Sequence, residues 1–116
     1  MAIVTYGNGV VAALQARAAL SEADITVIDC PYLSHVPAGL ASALPEYENV
    51  VFADPCKEGQ NPLAGFISQL KQQGRLPAQW TAVAAANAYN PLGSYITFLS
   101  ASDIEQAVLS LFKKSD

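Results

Sequence analysis

Two closely spaced glycines and an acid about twenty residues beyond them are the residues here whose types and spacing most directly suggest chemistry. In VTYGNGVVAALQA, residues 4–16, an apolar run passes through Gly7 and Gly9 into an apolar-periodic segment, and Gly7, Gly9 and Ala12 fit the pattern G-x-G-x-x-G/A. Such a turn aims the backbone amides of a helix start at a dinucleotide pyrophosphate, with the helix dipole assisting. Asp29 ends the second apolar run, where a fold of that kind places the acid that binds ribose. Against this, a six-strand dinucleotide fold has two mononucleotide halves, and the chain offers only four strand-like runs. The motif is also short enough to arise in any strand-turn-helix. Cofactor binding by Gly7, Gly9 and Asp29 is therefore an alternative to a structural reading, in which the glycines permit a tight turn and close helix-strand packing and Asp29 fixes the following loop.

Other reactive side chains form no constellation. Ser34 and His35 are adjacent, but no G-x-S-x-G elbow is present, and His35 reads as a loop histidine. Cys30 and Cys56 do not form a C-x-x-C pair; with His35 they make three scattered candidate metal ligands and read instead as reduced, partly buried thiols. Asp54, Lys57 and Glu58 follow the third apolar run and could bind substrate or a partner, although such a cluster reads more simply as a solvated turn. No metal site is expected.

The elements that must position these residues follow from periodicity. Four short runs, Ile3-Val4-Thr5-Tyr6, Ile25-Thr26-Val27-Ile28, Val50-Val51-Phe52-Ala53 and Thr81-Ala82-Val83-Ala84, read as strands buried on both faces, because they are continuously apolar rather than alternating. Helical patterns lie between them. The first puts Val10, Val11, Leu14 and Ala18 on an inward face, with Gln15, Arg17 and Glu22 opposite. A short one starts at Pro37 with Leu40 and Leu44 inward. In the third, Asn61 is the expected N-cap and Pro62 the first helical residue; Leu63, Phe66, Ile67 and Leu70 follow, and Gly74 ends it. Ser102 and Glu105 have capping-box spacing for the last helix, which should bury Ile104, Val108, Leu111 and Phe112. Strand and helix alternate throughout, which predicts an α/β fold with a largely parallel sheet covered on both faces.

Such a sheet gathers ligands at the carboxyl ends of its strands. The informative segments are then 7–9, 29–37, 54–61 and 87–100, the last carrying Asn87, Tyr89, Asn90, Ser94 and Tyr95. At 116 residues, 52% hydrophobic and 14% charged, the chain is long and apolar enough for one domain with its own core. Six basic residues against ten acidic ones give a net charge of −4 without a basic stripe, so no nucleic-acid partner is expected. No apolar run approaches the ~20 residues of a membrane span, and the start lacks the features of a signal peptide. The expectation is a cytoplasmic protein, or one of an organelle matrix, without a membrane partner.

The order of these segments resembles the C-terminal domain of the transketolase-like thiamine-diphosphate enzymes, closest to the β subunit or β part of 2-oxo acid dehydrogenase E1 components of the pyruvate and branched-chain types. IVTYGNGVVAALQA is similar to that family's opening strand, glycine turn and first helix, and ITVIDCPYL to its second strand with a V-I-D-L-x-x-L ending. YENVVFADPCKEG is similar to the third strand and its loop, which leads to Gly59, and YITFLSASDIEQAVLSLF to the closing D-I-x-x-A-V helix. The likeness spans residues 2–112. There are departures: His35-Val36-Pro37 lacks the family's acid, Ala53-Asp54 stands where His-Glu is frequent, and Gly59 is followed by Gln60-Asn61-Pro62.

The resemblance implies a three-layer α/β/α sandwich with a mostly parallel sheet of four to five strands. It gives Gly7, Gly9, Asp29 and Gly59 structural roles at turns. It also implies that thiamine diphosphate and Mg are bound by other domains of a longer enzyme, that this domain holds no catalytic residue or cofactor, and that alone it is inactive. Its implied partners are the other E1 domains or α subunit, the E1 dimer mate, and the subunit-binding module of the E2 acyltransferase. The implied contribution is to assembly and to the wall of the substrate channel. The same domain of a transketolase or deoxyxylulose-phosphate synthase is a neighbouring alternative; a small stand-alone dinucleotide-binding domain and a pure interaction module are alternatives of other classes.

Overall fold

A computed structural model describes residues 1–7, 9–30, 38–57, 62–85 and 99–114. The chain runs β1 (Ala2–Thr5), α1 (Gly9–Ala19), β2 (Thr26–Asp29), α2 (Ala38–Ala43), a 3-10 turn (Leu44–Glu46), β3 (Asn49–Lys57), α3 (Pro62–Gln72), β4 (Gln79–Ala85) and α4 (Ala101–Lys114). All strand pairings among the described residues are parallel, in the order β2-β1-β3-β4. Parallel neighbours need a crossover, and the intervening helices provide it.

The pleat divides the sheet residues between two cores. Ile3, Val51 and Ala53 face Ala12, Ala13 and Ala16 of α1 and Ile104, Val108 and Leu111 of α4. Ala2, Val4, Val50 and Phe52 face the other way, against Leu44 and against Leu63, Phe66 and Leu70 of α3. Among the described residues this is an α/β fold of three layers around a four-stranded, all-parallel sheet, as the alternation of elements predicts. Only the central strands match the expected burial. β1 is buried throughout, as is β3 over Val50, Val51, Phe52 and Ala53, whereas Thr26 and Asp29 of β2 and Trp80 and Ala82 of β4, the outer strands among the described residues, are exposed.

Several helix expectations need correction. α1 turns Gly9, Ala12, Ala13 and Ala16 to the sheet and leaves Val11 and Leu14 exposed, with Ala18. Almost every side chain of α1 is apolar, so periodicity did not select a face; the narrow gap between α1 and the sheet selects the small residues instead. α4 begins two residues earlier than the Ser102/Glu105 spacing suggests. Ser100 Oγ accepts from the Asp103 amide at 3.1 Å, and Asp103 Oδ2 accepts from the Ser100 amide at 3.2 Å, a reciprocal cap with aspartate in the third position. Ile104, Val108 and Leu111 are buried as expected, but Phe112 is 38% exposed at the end of the sheet where the strands begin. α3 ends at Gln72, and Gly74, the expected stop, closes the turn after it at φ +67°, with the Gly74 and Arg75 amides donating to Lys71 and Leu70 carbonyls. The expected Asn61 cap and the Pro37 start lie outside the described residues.

Candidate functional site

In the order β2-β1-β3-β4, the chain leaves β1 for one side of the sheet and returns to the other side as β3. The carboxyl ends of β1 and β3 thus flank the topological switch point, the place where doubly wound sheets open a crevice for ligands. Tyr6 and Gly7 follow β1, Gly9 opens α1, and Asp54 and Pro55 lie in β3 beside them.

Asp54 dominates this junction. It is 3% exposed, and β3 continues through it to Lys57, with an irregularity in the pairing with β4 between the two. The expectation of a solvated turn at Asp54 is therefore corrected. Its Oδ1 accepts the Tyr6 hydroxyl at 2.5 Å, and its Oδ2 accepts the backbone amide of Leu63 at 2.9 Å. A carboxylate buried next to an apolar core must be paired or hydrogen-bonded, and here one group joins β1, β3 and the first turn of α3. It also meets one of the first amides of α3, which have no partner within the helix.

The glycine turn is built differently from a phosphate cradle. Gly7 adopts φ +53°, a left-handed conformation that β-carbon sterics disfavour. The Gly9 amide donates to the Tyr6 carbonyl at 3.0 Å and the Val10 amide to the Gly7 carbonyl at 3.1 Å, so the first two amides of α1 serve the turn. A β-carbon on Gly9 would overlap Thr5 Oγ1 and come within 3.5 Å of Pro55 Cδ. The helix start therefore lies directly against β1 and β3. Thr5 Oγ1 is buried there, beneath the Gly9 backbone, without a hydrogen-bond partner among the described residues.

Asp29 pairs with Thr5 at the end of β2 and is exposed, so Gly7, Gly9 and Asp29 do gather at one end of neighbouring strands. The order of the strands, however, is not the 3-2-1 arrangement of a dinucleotide half, since β3 adds beside β1 and not beyond β2. Next to Asp29, Cys30 is buried and its amide donates to the Thr5 carbonyl at 2.8 Å. Burial, and to a lesser extent the Asp29 carboxylate, push the Cys30 thiol up, which suits a packed thiol rather than a nucleophile.

Among the described residues, no three His, Cys, Asp or Glu side chains come together to hold a metal ion. Asp54 is the one buried carboxylate among them, and its oxygens hold Tyr6 and Leu63. Gly59, Ser34, His35, Glu58 and the polar and aromatic residues of segment 87–98 lie outside the described residues, as do the side chains of Cys56 and Lys57. The Tyr6–Asp54 bond and the Thr5–Gly9 contact escaped sequence reasoning. Only the apolar strand preceding each residue hinted that it would end up inside.

No family model matches the chain, and no curated protein matches it. No helix among the described residues is long and apolar enough to cross a membrane.

Proposed function

We propose that this chain serves as the C-terminal domain of a thiamine-diphosphate-dependent 2-oxo acid dehydrogenase E1 component, contributing to subunit assembly, the wall of the substrate channel and E2 docking rather than to the chemistry. The reading rests on the ordered resemblance of residues 2–112 to that family. The observation that supports it most is the use made of the switch point. Where a ligand-binding doubly wound sheet keeps its crevice open, Asp54 here ties Tyr6 to the amide of Leu63. A carboxylate so engaged makes a rigid joint and opposes a phosphate at the same place. In this proposal, thiamine diphosphate and Mg supply the decarboxylation chemistry from other domains, and this domain holds its surface in position against them.

The test uses the native polypeptide carrying this sequence. An antibody against the chain should remove thiamine-diphosphate-dependent 2-oxo acid decarboxylation from a cell extract in proportion to the chain it removes. Calorimetric titration of the purified protein with NAD, NADP and FAD should show no tight binding. Decarboxylation that survives complete depletion would sink the reading. Tight dinucleotide binding abolished by Asp29→Ala would replace it with a nucleotide-binding function for Gly7, Gly9 and Asp29.

A further inference from the structure

We draw no further inference here: the strongest candidate, the apolar surface patch that α1 and α4 leave exposed at Val11, Leu14, Leu109 and Phe112, carries none because nothing in the structure shows what covers it.

Discussion

The Tyr6 hydroxyl donates to Asp54 Oδ1 at 2.5 Å, closing the gap between the ends of the two central strands while the same carboxylate accepts from the first turn of α3. The end of β1, β3 and the start of α3 are thereby held by one side chain. Asp54→Asn keeps the shape but replaces one acceptor with a donor, so if the amide oxygen keeps the Leu63 amide, the Tyr6 hydroxyl must turn from donor to acceptor. The expected destabilisation is about 1–3 kcal/mol, and Tyr6→Phe should cost about 1 kcal/mol. Because both changes break one bond, the double variant should be less destabilised than the two losses added together. Urea unfolding of the four proteins checks this; strict additivity would show that the bond contributes nothing.

Gly9 and Thr5 make a second prediction. A methyl group at Gly9 has no room against Thr5 Oγ1, so Gly9→Ala should destabilise by about 1–3 kcal/mol despite the better helix propensity of alanine. Removing the hydroxyl in Thr5→Ala/Gly9→Ala should recover part of the loss, as measured by thermal unfolding. At Gly7 the space for a side chain is open and only the backbone angle objects, so Gly7→Asn should be tolerated better than Gly7→Val.

These two junctions mark where the sequence stops being legible. Strand and helix identities follow from apolar runs and their punctuation, and the α/β sandwich follows from their alternation. The inward face of α1 does not, because a helix that is apolar nearly all round has no preferred side until the gap it must fill is known; Val11 and Leu14 lose that competition to Ala12, Ala13 and Ala16. Nor does the role of Asp54. A carboxylate after an apolar strand looks like the start of a loop, and its partners lie 48 and 9 residues away. Gly7, Gly9 and Asp29 show the same limit from the other direction. Their spacing describes a turn shared by nucleotide sites and by plain helix-strand packing, and spacing alone does not separate the two.

Ser100 and Asp103, rather than Ser102 and Glu105, cap α4. Ser100→Ala should therefore cost about 1 kcal/mol, while Ser102→Ala should lie within about 0.5 kcal/mol of the parent protein. Denaturant midpoints of the two variants decide it, and a larger loss at Ser102 would move the helix start back to the spacing that the sequence suggests.

Cys30 gives the pH dependence a direction. Burial first, and the Asp29 carboxylate second, raise its pKa in the folded protein above that of the unfolded chain. At neutral pH both states keep the proton and the thiol contributes no slope. As pH rises past the ordinary thiol value of about 8.5, the unfolded chain ionises while the folded thiol stays protonated, so stability falls until the folded pKa is reached. Cys30→Ala removes this contribution whatever it does to packing, because packing shifts stability equally at every pH. The difference in urea stability between the parent and Cys30→Ala should therefore change between pH 7 and pH 10, with the parent losing more. Asp29→Asn should reduce the parent's alkaline loss without abolishing it, since the larger cause, burial, remains. A parent and Cys30→Ala variant that run parallel across this range would mean that the thiol ionises as readily in the folded chain as in the unfolded one.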